Sequence, residues 1–316
     1  MAYLVIGGMG YIGSRVVRDL VGAGKDVVCL VRSGISAEAR EVIGEPNLKK
    51  VKIAPGDMSD AIQLFHAVKE NHIEYIIHTA YAMGQAAEQQ PAANVRNNCL
   101  GMANVLEAAR LFGVKKVVWT SALAVCGARL ADFYKEPVKD DDAPYMPEGM
   151  YGATKALNEV MARVYFERFG VDSIAFRPAR IFGYSKTSIP FTEFNRKVAL
   201  NIPVELVDSH YATSYVYVED CADAHVKACD VPTTKTRIFN LREGLYSNPE
   251  LLSVIRKVNP EAKVTLVEGK SDSVVVPRTD ASALQTELHW KAPHTLEEAL
   301  REIYNYWRHK AGMPLL

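Results

Sequence analysis

Short apolar runs alternate with helical patterns through the first half of the chain. Tyr3–Gly7 reads as a strand. Across residues 11–23, Ile12, Val16, Val17 and Leu20 fall on one helical face. Val27–Val31, Val51–Ala54, Tyr75–Thr79 and Lys116–Thr120 predict further strands, with helical stretches at Asp60–Glu70 and Val95–Phe112. A long helix follows Met150, and Asp172–Arg177 reads as the next strand. These strands are almost continuously apolar, as expected for a parallel sheet covered on both faces. Alternation at this spacing implies a doubly wound α/β fold. After about residue 184 prolines at 190, 203, 232, 249, 260 and 277 cut the chain into shorter pieces. The expected organisation is a sheet domain over residues 1–184 and a smaller C-terminal substrate lobe over 185–316. One element, near 237–241, returns to the main sheet.

Composition narrows the function classes. Formal net charge is +0, so nothing points to nucleic acid or to an anionic membrane surface. No apolar run approaches the ~18–20 residues that span a bilayer. The N-terminus lacks a basic stretch and a cleavage site and reads as a first strand. Cys29, Cys99, Cys126, Cys221 and Cys229 are scattered, with no C-x-x-C and no metal-ligand spacing. They read as reduced thiols of a cytoplasmic protein, and no metal is expected.

Two motifs carry chemistry. Gly7-Gly8-Met9-Gly10-Tyr11-Ile12-Gly13 follows an apolar strand and opens a helix. Such glycines permit a tight turn and close approach of backbone to a pyrophosphate, which the helix N-terminus then holds. This makes the sheet a Rossmann-type dinucleotide binder. At the end of the second strand, where an Asp or Glu would bind the ribose of NAD, stand Arg32 and Ser33. A guanidinium and a hydroxyl can meet a 2′-phosphate, so the expected cofactor is NADP in preference to NAD. The second motif is Tyr151-Gly-Ala-Thr-Lys155. Residues four apart share a helical face, and a nearby ammonium lowers a phenol's pKa toward neutrality.

Through these two motifs together, the chain resembles the short-chain dehydrogenase/reductase superfamily. Its length and second lobe resemble the extended branch, the NAD(P)-dependent epimerase/dehydratase family. Gly56-Asp57-Met58, His78-Thr79-Ala80, Asn98-Cys99-Leu100-Gly101 and Tyr217-Val218-Glu219-Asp220 match further family segments, as does Leu288-His289-Trp290-Lys291-Ala292-Pro293. The resemblance implies that Tyr151 is the acid/base and that Lys155 holds the nicotinamide ribose. It implies cofactor contacts from Gly7, Gly10, Tyr11, Ile12, Gly13, Asp57, Met58, Thr79, Ala80, Asn98, Thr120, Lys155 and Pro178. It also suggests a homodimer through the helices at Val95–Phe112 and Met150–Phe169.

Three positions depart from that pattern. The hydroxyl that normally binds the substrate oxygen falls on Ala122, one residue after Ser121. Either Ser121, Thr120 or another group fills in, or the chemistry differs from ordinary carbonyl reduction. Thr213 stands where nucleotide-sugar enzymes carry a diphosphate-gripping Arg; Arg196 or Arg278 could compensate, but a substrate other than a nucleotide sugar is expected. Arg180 replaces a common Asn and could pair with an anionic substrate group or serve structure alone. Tyr81, Met83, Phe191, His210 and Tyr211 are candidate pocket lining. The leading expectation is an NAD(P)-dependent oxidoreductase acting on a small hydroxy or carbonyl compound. An epimerase, dehydratase or lyase recycling a bound nicotinamide is the alternative, with a non-catalytic dinucleotide-binding protein as the third reading.

Overall fold

The computed structural model describes residues 1–83, 85–127, 130, 137–186, 188–208, 212–269 and 278–316. His210 and Tyr211 lie outside the described residues. The chain forms two units: residues 1–178 with 222–241 and 276–290, and residues 179–221 with 242–275 and 291–316.

The first unit is built on seven strands: β1 (Ala2–Ile6), β2 (Asp26–Val31), β3 (Lys52–Pro55), β4 (Tyr75–His78), β5 (Lys116–Thr120), β6 (Ser173–Pro178) and β10 (Ile238–Leu241). Their order is β10-β6-β5-β4-β1-β2-β3, and each neighbouring pair is parallel. The strand order reverses between β1 and β4, the position where ligands bind outside the carboxyl ends of such sheets. The doubly wound Rossmann sheet expected from the apolar rhythm is therefore present, and β10 is the returning element.

Local chemistry sets the helix limits. Asp60 caps the helix Ala61–Glu70 by accepting hydrogen bonds from the backbone N–H groups of Ile62 and Gln63. Gly113 and Gly170, both left-handed, end the helices Gly101–Phe112 and Met150–Phe169. The helix Gly13–Gly22 buries Val16, Val17, Leu20 and Val21. A separate core joins β1, β2, β4 and β5 to Leu64, Met102, Val105, Leu106 and Ala162 of three other helices. The helix expected at Val95–Phe112 begins earlier, at Pro91, and contains one π-helical turn, Arg96–Leu100. Such turns recur at functional sites.

The second unit holds β7 (Arg180–Phe182), β8 (Val204–Asp208), β9 (Thr213–Tyr217), β11 (Gly244–Tyr246) and β12 (Val264–Glu268). They pair as β11-β9-β7 and β12-β8. Phe182, Phe191 and Tyr215 form an edge-and-stack aromatic core. Capping boxes at Ser247/Glu250 and Thr295/Glu298 start the helices Asn248–Val258 and Leu296–Lys310. No described helix is long and apolar enough to cross a membrane.

Candidate active site

The glycine turn leaves no room for side chains. Gly7 has φ +86°, and a Cβ there would lie 2.7 Å from the Ala80 nitrogen. A Cβ on Gly13 would lie 2.0 Å from the Gly7 carbonyl oxygen. The turn closes through a 2.8 Å bond from the Gly10 N–H to that same carbonyl. The helix that follows begins after Ile12 with no side-chain cap and no acidic residue in its first turn. Its N-terminal dipole therefore faces no competing carboxylate, which suits a pyrophosphate. Thr79 ties the end of β4 to this turn through its backbone N–H, 2.9 Å from the Ile6 carbonyl. Tyr11 lies beneath the Arg15 guanidinium, 4.9 Å from its ring centre.

The rest of the expected cofactor edge is assembled in the same unit. Asp57 accepts bonds from the Ser59 N–H and hydroxyl, at 2.8 and 2.9 Å. Arg32 reaches it at 3.4 Å from an otherwise exposed position, and Ser33 is exposed beside it. Burial works against Asp57's charge, but Ser59 and Arg32 outweigh it and hold its carboxyl below the usual range. Met58 is buried against the sheet, and its carbonyl accepts from Asn104. Pro178 closes β6, in register with Leu241.

The helix Met150–Phe169 brings Tyr151 and Lys155 together. Its first N–H, that of Met150, donates to the Glu88 carboxylate at 2.9 Å. Tyr151 is partly exposed and Lys155 fully buried. The Lys155 ammonium lies 5.6 Å from the Tyr151 ring centre, donates to the Thr120 carbonyl and sits over the face of Tyr81. Tyr81 in turn packs on His78, ring centres 4.5 Å apart. His78 is completely buried at the end of β4, and neither ring nitrogen has a protein partner.

The electrostatics differ from the expectation that Lys155 lowers Tyr151. Burial pushes the Tyr151 phenol above its ordinary range. Burial also pulls Lys155 well below its ordinary value, with Glu159 opposing that fall. Desolvation outweighs the attraction between the pair at this separation. His78 is likewise held neutral, first by burial and then by the Lys155 charge.

Asn98 fixes the geometry from behind. Its side-chain oxygen accepts from the Ala82 N–H, and its amide donates to the Ala82 carbonyl, both at 3.0 Å. The same amide reaches the Thr154 hydroxyl at 3.2 Å, and that hydroxyl donates to the Tyr151 carbonyl. One buried amide thus joins the loop after β4 to the first turn of the Tyr151 helix. Met83, in that loop, is 56% exposed and so available to a ligand.

Ser121 is engaged elsewhere. Its hydroxyl donates to Glu159 at 2.5 Å, and Glu159 forms a bidentate pair with Arg177 at 2.8 and 2.7 Å. Strand alternation sends the Thr120 hydroxyl the other way, to His225 at 2.8 Å. Ala122 follows in extended conformation, φ −160° and ψ 149°, and brings no donor. Sequence reasoning overlooked Glu88, Glu159 and Arg177. The four-residue spacing Tyr151, Lys155, Glu159 was the available signal for one of them. Arg180 lies in the second unit, paired in register with Tyr215, 6.0 Å from that ring.

A Rossmann sheet with a glycine turn at its switch point and a Tyr/Lys helix beside it defines a nicotinamide-dependent enzyme class. The NAD dependent epimerase/dehydratase family matches residues 3–241. The chain belongs to that family. UDP-glucose 4-epimerase of Lactobacillus helveticus is 30% identical, over 93% of both chains. Among solved structures, L-threonine dehydrogenase of Clostridium difficile has a TM-score of 0.83 at 20% identity, covering 98% of both chains. UDP-N-acetylglucosamine 4-epimerase of Methanobrevibacter ruminantium, in complex with UDP-N-acetylmuramic acid, also has a TM-score of 0.83, at 21% identity and 98% coverage of both chains.

These relatives overturn the expectation against a nucleotide-sugar substrate. An epimerase of UDP-glucose shares nearly the whole chain, and a structural neighbour holds a UDP-sugar. The argument from Thr213 failed because it weighted one missing guanidinium above those other residues could supply. A guanidinium need not come from that residue. Arg180 lies on the strand adjoining Thr213's own, opposite Tyr215.

Proposed function

We propose that this protein catalyses hydride transfer at a hydroxyl-bearing carbon of a nucleotide sugar, with Tyr151 as acid/base, in the manner of a 4-epimerase. The observation that carries the reading is the placement of Tyr151 and Lys155 at the carboxyl ends of β4 and β5, in the same unit as the glycine turn. The Gly7 and Gly13 positions, where a Cβ would collide with backbone, fit a pyrophosphate held against the helix N-terminus. The nicotinamide, when bound, accepts and returns the hydride. The chain's own residues do the rest. Lys155 orients the ribose and supplies positive charge beside the phenol. Tyr151 takes a proton from the sugar hydroxyl as the carbon is oxidised and gives it back on reduction. Asn98 holds the two segments that frame the reacting atoms.

Ser121 is assigned a structural part in this reading, since Glu159 occupies its hydroxyl. The substrate oxygen is then served by Tyr151 without a second hydroxyl from position 122. The deciding experiment incubates the purified protein with UDP-glucose, UDP-galactose and their N-acetyl forms. Epimer formation by NMR without net change at 340 nm supports the reading. A stoichiometric 340 nm change would instead mark a dehydrogenase, and turnover by Tyr151→Phe equal to the parent would remove Tyr151 from the chemistry.

The cofactor preference belongs to the same proposal. Arg32 and Ser33 replace the ribose-binding carboxylate, so 2′-phosphate recognition is inferred. Arg32→Ala then weakens NADP binding about tenfold and leaves NAD nearly unchanged. Equal losses for both cofactors would point to NAD. Self-association through the long helices is also proposed. Leu157, Val160 and Val164 form an exposed apolar stripe on the Tyr151 helix, with Val95, Leu100 and Leu111 exposed on the other. Leu157→Glu should convert a dimer to a monomer in light scattering. Five buried free thiols fit a reducing compartment, and a cytoplasmic location is inferred from them.

A further inference from the structure

We propose that Glu159, anchored by Arg177 and Ser121, is a positioning residue whose negative charge favours the ammonium form of Lys155, directed at the Thr120 carbonyl, for the Tyr151 reaction. The inference rests on the proposed function for the use of that charge, but its geometry stands apart from it. Tyr151, Lys155 and Glu159 recur every four residues on one helix and so line one face. Glu159 and Arg177 are both completely buried, as is Ser121. Three elements converge on the carboxylate: Arg177 from β6, Ser121 from the end of β5, and the helix itself.

Lys155 needs such a partner. Around it stand Tyr81 and His78 from β4 and the following loop, Trp119 and Thr120 from β5, and Tyr151 on its own helix. Among the described residues facing it, Glu159 is the group that supplies opposing negative charge. Around Glu159 stand the Arg177 guanidinium, the Ser121 hydroxyl, Cys126 and Tyr145. A carboxylate so deep in the protein is costly unless it is paired and hydrogen-bonded. The bidentate guanidinium and the Ser121 hydroxyl give it three charge-assisted bonds. This accounts for the hydroxyl at position 121 being turned toward Glu159.

The test reads the lysine directly. The full-length protein is labelled with ¹³C-lysine, and the Lys155 Cε shift is followed against pH, without substrate. Glu159→Gln should lower the Lys155 titration midpoint by one pH unit or more, a tenfold fall in the charged-to-neutral ratio at fixed pH. Because Glu159→Gln strands a buried guanidinium, Glu159→Gln/Arg177→Met is measured beside it. It should shift the midpoint in the same direction by a smaller amount. Ser121→Ala, which keeps both charges, should shift it least. A folded Glu159→Gln or double variant with the parent midpoint would overturn the proposal. Failure of the functional reading shows separately, as turnover surviving in Tyr151→Phe while the Lys155 titration behaves as described.

Discussion

Two buried polar clusters lie along one face of the helix Met150–Phe169, and they are finished to different degrees. Around Glu159 the bonding is dense: a bidentate guanidinium, a serine hydroxyl, and an Arg177 bond to the Asp142 carbonyl at 2.8 Å. Around Lys155 it is sparse: one carbonyl, one aromatic face, and a histidine with neither nitrogen matched. Buried polar groups without partners are costly and concentrate where a ligand completes them. Arg177 Nη1 is unmatched too, so the contrast in bonding is one of degree: under the proposed function the denser cluster holds the fold and the sparser one serves the chemistry.

Arg177→Met is the largest test of that contrast. It breaks the denser cluster and leaves Glu159 buried without its cation, at a cost of about 3–5 kcal/mol. A denaturant titration reads this; a loss under 1 kcal/mol would show that the pair is not structural. Lys155→Met is the converse. Removing a desolvated ammonium should leave the melting temperature equal or higher, while turnover falls about 10²–10³-fold. If stability fell as sharply as turnover, the two clusters would not differ in kind. Asn98→Ala sits between them. It unties the Ala82 loop from the Tyr151 helix and should cost about 1–3 kcal/mol together with a fall in turnover.

The smallest effect lies in the second unit and supplies a control outside both clusters. His294 binds Asp220 at 2.5 Å and approaches Glu302 at 3.6 Å. Burial would pull its pKa down, but the Asp220 bond and the nearby carboxylates raise it above the ordinary value. A raised folded-state pKa gives stabilisation that is complete below about pH 6.5 and lost as pH rises through the folded value. His294→Gln should therefore lower the melting temperature most at the acid end and converge with the parent at alkaline pH. Parallel curves would show that the pair does not titrate.

How far these clusters could be read from sequence depends on where the partners lie in the chain. The glycine turn was legible because backbone crowding admits no other residue at Gly7 or Gly13, and its context was a strand and a helix close by. Tyr151 and Lys155 were legible because four residues make one helical turn. Glu159 carried the same spacing, yet its meaning depends on Arg177, eighteen residues away on another element, and on the direction of the Ser121 side chain. No local pattern encodes that convergence. Lys155's depressed pKa was also hidden, since burial is a property of the whole unit. The substrate argument from Thr213 failed for a related reason: recognition of a diphosphate is a property of a surface, and neighbouring strands can supply it. Helix limits shifted by one or two residues, except at Pro91, where a proline starts the helix four residues early.

The π-helical turn at Arg96–Leu100 carries one residue more than an α-helical turn would. That surplus makes the chain's spacing unforgiving there. The wider turn absorbs its extra residue, so removing one would restore regular pitch and leave the flanking segments nearly in phase, but would shorten the spacing of side chains across the turn. A deletion between Asn94 and Asn98 would change the spacing by which both amides reach the Ala82 carbonyl. A one-residue deletion in this stretch is thus a change of side-chain spacing, whereas most single substitutions along its exposed side are changes of surface. Natural length variation among related chains should be absent from this turn and free to accumulate in the exposed loops.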